Sequence, residues 1–161
     1  MYIELPGGYA IRPGKQEDVK EAYRLIIELA VYERSLHEVE HTLEEMEADF
    51  AKPSPGYQFL VCERRGEIVG LSLYYEAYST WKGRCLYLED LIVTQAHRGN
   101  GLGQALFEAT ARLTRDVGAK RLMWQVLDWN KPAIDFYTRM GAVFLPEWLN
   151  ARLTKESLEL Y

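Results

Sequence analysis

Apolar residues take up helical spacing from Asp18 onward. Val19, Ala22, Ile26 and Leu29 share one face with Leu25 beside them, which predicts a helix to about Tyr32. A short strand, 9–12, precedes it and closes at Pro13-Gly14. A second helix opens on the capping box of Thr42 and Glu45, carries Leu43, Met46 and Phe50, and stops at Pro53 and Pro55-Gly56. Strands 57–63 and 68–75 follow as an antiparallel hairpin turning at Arg65-Gly66, then a loop, 78–83, presenting Trp81. The apolar run Leu86, Leu88, Leu91, Ile92 and Val93 suits a buried strand. Glycines then stand at every second position (Gly99, Gly101, Gly103), and a helical pattern runs through Leu102, Leu106, Ala109, Leu113 and Val117. The rest predicts a strand at 121–127, a loop at 128–130 and a helix at 132–140 with Gly141 as its C′ residue. Two closing strands, 142–145 and 149–153, are expected around Pro146. The sum is a mixed α/β fold: a largely antiparallel sheet flanked by about four helices.

The stretch 86–103 organises the chain. A strand leading through a glycine turn into a helix aims backbone N–H groups at an anion, and the helix dipole adds to the field. Glycine allows a phosphate to approach without meeting a β-carbon. The turn therefore reads as a pyrophosphate holder. A P-loop would need lysine and Ser/Thr after the last glycine, where Gln104 and Ala105 stand. A dinucleotide fingerprint would need GxGxxG and an acidic residue about twenty positions on, where Arg121 and Leu122 lie. A tight turn holding no ligand would use the same glycines, so residues elsewhere must decide.

Length and charge narrow the field. At 161 residues the chain is read as one domain, 1–161, with a net charge of −5 and no lysine or arginine cluster, which argues against nucleic acid. Cys62 and Cys85 fall inside expected strands without metal-ligand spacing, so they read as buried packing residues and no metal is expected. No apolar run approaches the length of a membrane span, and no basic segment leads into an apolar one at the start. A cytoplasmic setting away from membranes is the expectation.

Two groups of residues carry possible chemistry. Glu89 and Asp90 lie inside the central strand, where a period of two puts their side chains on opposite faces unless a bulge splays them. A carboxylate on a covered sheet face is costly unless paired or functional. Such a group attracts a cationic amine or takes its proton, directly or through water. Asn130 and Tyr137 stand two helical turns apart and so share a face of the 132–140 helix. Taken alone, the pair reads first as a helix cap and a core aromatic.

Their order along the chain resembles a known family. Arg98-x-x-Gly101-x-Gly103 after a strand, then a helix, a strand and Asn130-x-x-Ala133-x-x-Phe136-Tyr137-x-x-x-Gly141, is similar to the GNAT acetyltransferases. Leu86-Tyr87-Leu88-Glu89-Asp90, Trp129-Asn130-x-Pro132 and Phe136-Tyr137-x-Arg139-x-Gly141-Ala142 resemble its spermidine/spermine and thialysine N-acetyltransferase branch. Weaker matches are Glu28-Leu29-Ala30-x-Tyr32-Glu33 and Trp81-x-Gly83. The similarity spans 11–158 and implies the GNAT acyl-CoA N-acyltransferase fold.

The resemblance implies acetyl-CoA as cofactor. Leu91, Ile92 and Val93 would pair with its pantetheine arm, and the backbone of Arg98, Gly99, Asn100, Gly101, Leu102 and Gly103 would hold its pyrophosphate. Asn130 would contact the cofactor, Arg139 would lie near it, and Tyr137 would give a proton to the departing thiolate. Glu89 is the implied base, through ordered water, with Asp90 helping to hold the amine and Tyr32, Glu33 and Trp81 near the acceptor. A primary amine is protonated at pH 7 and must lose a proton before it can attack. Tyrosine's high pKa keeps it a donor until the thiolate leaves.

The expected activity is acetyl transfer from acetyl-CoA to a small aliphatic amine by direct attack in a ternary complex (EC 2.3.1 class), in a homodimer. The seven carboxylates at Glu33, Glu38, Glu40, Glu44, Glu45, Glu47 and Asp49 form either a solvated face or a field that steers a cationic acceptor. Arg34, His37 and His41 interrupt them, which keeps lysine-like amino acids beside polyamines as acceptors. The alternatives are acetylation of a protein amine, which needs an open groove, and an acyl-CoA sensor without turnover.

Overall fold

A computed structural model describes residues 1–161, which divide into two compact units, Met1–Gln125 and Val126–Tyr161. The first unit holds a six-stranded sheet in sequence order: β1 (Ile3–Leu5), β2 (Tyr9–Pro13), β3 (Gln58–Arg64), β4 (Glu67–Ser79), β5 (Gly83–Val93) and β6 (Leu122–Met123). All neighbours pair antiparallel except β5 and β6, which run parallel. Three helices belong to this unit: α1 (Val19–Tyr32), α2 (Leu43–Phe50) and α3 (Leu102–Asp116). The parallel step follows from α3, a crossover that returns the chain in the direction of β5.

The sheet separates two apolar layers. On one side Leu60, Cys62, Tyr74, Leu86 and Val93 pack with Leu102, Leu106 and Ala109 of α3. On the other, Phe59, Val61, Leu71, Leu73 and Ile92 pack with Val19, Ala22 and Leu25 of α1 and Met46 of α2. The alternation along β3, Phe59 and Val61 against Leu60 and Cys62, is the period of two expected of a strand covered on both faces. Arg12 fastens the start of α1, giving a bidentate pair to Asp18 at 2.6 and 3.0 Å and a third bond to Glu63 at 2.8 Å.

Most expected elements of this unit are present. The Thr42 cap forms reciprocally: its hydroxyl accepts from Glu45 N at 3.2 Å while the Glu45 carboxylate accepts from Thr42 N at 2.9 Å. Arg65-Gly66 turns the β3–β4 hairpin with both residues at positive φ, 52° and 83°. Some bounds differ. Helix α2 ends at Phe50, before its prolines, and β4 runs on through Tyr78 to Ser79. The expected strand at 121–127 pairs only at Leu122–Met123, opposite Leu86 and Tyr87. Strand β1 was too short to show a period in the sequence.

The second unit contains α4 (Lys131–Arg139) and α5 (Lys155–Leu158). Helix α4 closes with Gly141 at φ 87°, Gly141 N donating to Thr138 O and Ala142 N to Tyr137 O, both at 3.0 Å. The expected strands at 142–145 and 149–153 do not form. An apolar run becomes a strand only when another strand takes up its backbone groups, and no ladder reaches these residues.

Candidate active site

Strand β5 breaks its own alternation. Leu86 packs on the α3 side, Leu88 pairs with Tyr74 of that same layer, and Leu91 and Val93 pack there too. The odd step between Leu88 and Leu91 requires an extra residue, and the pairing shows it. Tyr74 opposes Leu88 and Leu73 opposes Asp90, so Glu89 has no partner. A regular strand would have put Glu89 and Asp90 on opposite faces. The bulge instead turns both toward the face covered by α1.

Asp90 is half-buried, and burial together with the charges of Glu89 and Glu33 pushes its carboxyl up to about 7. Glu33, the residue capping the C-terminus of α1, is raised by burial as well. Tyr75 and Tyr87, paired across β4 and β5, stack with centroids 5.2 Å apart. Burial raises both hydroxyls and the charge of Glu89 adds to it, Tyr87 reaching about 12. The two carboxylates of the bulge and two stacked rings thus share the α1 side of the sheet, within electrostatic reach of Glu33 at the negative end of that helix. This arrangement is suited to a cation. The two tyrosines were not singled out in the sequence; their pairing across the hairpin, opposite the bulge, is the signal that finds them.

The glycine turn follows the C-terminal end of β5, a short way beyond the bulge. A single 3-10 turn, Gln95–His97, leads into Gly99 and Gly101, both left-handed at φ 81° and 74°. Gly101 is the N-cap of α3 and offers no side-chain cap to its first amides. Arg98 turns its side chain away from these amides: Nε donates to Val93 O at 2.8 Å and the guanidinium lies 5.3 Å from the Tyr32 ring centre. Asn100 is likewise turned inward, its amide donating to His97 O at 3.0 Å.

Trp81 stands apart from the carboxylates. It is 80% exposed on the turn joining β4 to β5, and Glu89 follows roughly 20 Å further along the strand.

A comparison of sequences identifies the fold's lineage. The acetyltransferase (GNAT) family model matches residues 19–142. The chain belongs to that family. The thialysine N-epsilon-acetyltransferase of Bos taurus is 42% identical over 145 residues, 85% of either chain, and that of Mus musculus is 36% identical over 92% of this chain and 94% of its own. The spermidine/spermine N(1)-acetyltransferase-like protein 1 of Homo sapiens is 31% identical over 93% of this chain and 23% of its own. Among solved structures, an aminoglycoside acetyltransferase from an uncultured soil metagenomic sample, in complex with sisomicin, shares the fold at TM-score 0.77. It is 17% identical over 94% of this chain and 99% of that one.

For a GNAT acetyltransferase the group to be accommodated is coenzyme A, and this chain fits it at two points. Gly103 lies in the first turn of α3 with no positive φ, and a β-carbon there would meet only Val93 Cγ2, at 4.0 Å. Neither conformation nor packing requires glycine at that position, whereas a ligand seated on the helix N-terminus would. Next to it, β6 ends its pairing at Leu86 and Tyr87, so the β6-side edge of β5 over residues 88–93 carries no strand. The Val93 carbonyl is already taken by Arg98 Nε at 2.8 Å, and the rest of the edge along Leu91, Ile92 and Val93 stays open to an extended arm.

In the second unit Asn130 and Tyr137 are both buried. Asn130 is the N-cap of α4, its Oδ1 accepting from Ala133 N at 3.3 Å, with Pro132 in the first turn. Tyr137 packs edge-on against Phe136 at 5.1 Å, and Arg139 ends the helix. No helix of the chain is long and apolar enough to cross a membrane, and no cluster of side chains is suited to a metal ion.

Proposed function

We propose that this acetyltransferase moves the acetyl group of acetyl-CoA to a primary amine of a small cationic acceptor, a lysine-like amino acid such as thialysine or a di- or polyamine. The observation that carries this reading is the bulge at Glu89, which turns Glu89 and Asp90 to the face covered by α1, where the charge of Glu33 at the end of that helix acts on Asp90. Its relatives named for thialysine and spermidine/spermine support the same acceptor class.

Coenzyme A, when bound, supplies the acetyl group as an activated thioester. The amides of Arg98, Gly99, Asn100, Gly101, Leu102 and Gly103 take the pyrophosphate, and Leu91 to Val93 pair with the arm. Asp90 and Glu33 hold the ammonium group by charge, with Tyr32 beside them on α1. Glu89 is the more exposed carboxylate of its pair and takes the amine proton, directly or through water. The freed amine then attacks within a ternary complex. Tyr137 would supply a proton to the leaving sulfur, and Asn130 and Arg139 would contact the cofactor. Direct attack is favoured because neither thiol is available as a relay. Cys62 and Cys85 are both buried, and burial pushes Cys62 up to about 11.

Two free thiols suit a cytoplasmic setting. Leu145, Trp148, Leu149 and Leu153, all exposed in the second unit, support a homodimer. Release of free thiol from acetyl-CoA, measured against a panel of amines, tests the reading.

A further inference from the structure

Helix α1 touches the cofactor turn along one stripe. Glu28 and Tyr32 stand four residues apart and so share a face. Glu28 accepts from Thr94 Oγ1 at 2.8 Å and from the backbone N of Gln95 at 3.1 Å, closing the start of the 3-10 turn. One turn further along α1, the Tyr32 ring lies beneath the guanidinium of Arg98, which is also 4.0 Å from Glu28. The next residue is Glu33, one of the three acceptor carboxylates. There the chain leaves the helix through Arg34 at φ 60°, a conformation that costs a non-glycine residue free energy and is held by Arg34 N to Val31 O and Ser35 N to Ala30 O. Glu33 is therefore placed by a helix end that is anchored to the core through Leu29 and Ala30 and to the 94–98 turn through Glu28 and Tyr32.

We propose that Glu28 and Tyr32 are positioning residues that couple the two sites: ordering of the 94–103 turn by coenzyme A sets the helix end that carries Glu33. Arg98 is the arm of this coupling, acting through its side chain on α1 while its backbone belongs to the turn. The inference rests on the assignment of that turn to coenzyme A. It goes beyond it in giving Glu28 and the Arg98 side chain a part in acceptor binding. Linkage then requires that cofactor and amine each tighten the other's binding.

Amide hydrogen exchange of the full chain, with and without coenzyme A, tests the coupling without turnover. In the wild type, coenzyme A is expected to protect the first turn of α3 and residues 30–35 together. In Glu28→Ala at saturating coenzyme A, protection at the first turn of α3 stays while that at 30–35 is lost, and Glu28→Gln restores part of it. Tyr32→Leu, at an exposed position, gives the same loss from the other end of the stripe, and Tyr32→Phe, which keeps the ring, does not. The acceptor KM rises about tenfold in Glu28→Ala at saturating acetyl-CoA. Wild-type protection confined to α3, or equal protection at 30–35 in Glu28→Ala and Tyr32→Leu, overturns the coupling. An absence of any protection by coenzyme A in the wild type overturns the cofactor assignment itself.

Discussion

Leu73 of β4 faces Asp90 of β5, and that pairing leaves Glu89 facing nothing. In a regular strand of the same residues, Leu91 would fall on the α1 side and Asp90 would be driven into the α3 core. The bulge keeps both apolar layers in register and turns two acids toward the same helix end. Chemistry and packing are satisfied by a single extra residue.

Glu89→Gln removes a proton acceptor without changing shape. Turnover is expected to fall about 10²-fold, with the remaining rate's pH dependence shifted upward. Steady-state kcat across pH 6–10 checks this. An unchanged profile removes Glu89 as the base.

Asp90 titrates near neutrality, and the sign of its effect on binding can be worked out. Its ionised form holds the ammonium, and the amine stays protonated over this range, so the acceptor KM should fall as pH rises from 6 to 8 through about 7. Asp90→Asn should raise KM roughly tenfold or more and flatten that dependence. A KM that keeps its pH step in the variant contradicts the assignment.

The same shift bears on stability. A carboxyl whose folded pKa lies above its unfolded value binds more protons folded than unfolded between about 4 and 7. Asp90 therefore lowers stability as pH rises through that window. Thermal unfolding at pH 8 should show Asp90→Asn melting above the wild type, by roughly 2–4 °C for each kcal/mol in a chain of this size. The difference should shrink at pH 4.

Gly103→Ala separates folding from cofactor binding. Alanine in a helix is favoured over glycine by roughly 0.5–1 kcal/mol, and the space around Gly103 is open. The free variant should melt at or slightly above the wild-type temperature while coenzyme A binds at least tenfold more weakly. Unchanged affinity in calorimetric titration would move the pyrophosphate elsewhere.

Much of this was legible in the sequence, for identifiable reasons. Glycines at every second position before a helical pattern marked the turn, and the Thr42-Glu45 box and Arg65-Gly66 marked a helix start and a hairpin, because these depend on local backbone chemistry. The bulge was written in the odd spacing from Leu88 to Leu91, which an apolar run read as a block conceals. The expected strands at 142–145 and 149–153 are apolar enough but have no ladder to join, and pairing is a property of the fold. Tyr75, Tyr87 and Glu28 gain meaning only from what lies opposite them.

Tyr137→Phe removes one hydroxyl from a buried ring. Turnover is expected to drop about 10²-fold with coenzyme A affinity near the wild-type value. Wild-type turnover rules Tyr137 out as the acid.

The most direct test is release of free thiol from acetyl-CoA in the presence of thialysine, lysine, putrescine, spermidine and a lysine-bearing peptide. Release with one or more of the small amines, and little with the peptide, is the expected result. Release with the peptide alone, or none with any amine while coenzyme A still binds, would contradict a small-amine acetyltransferase and point to a protein acceptor or a sensor.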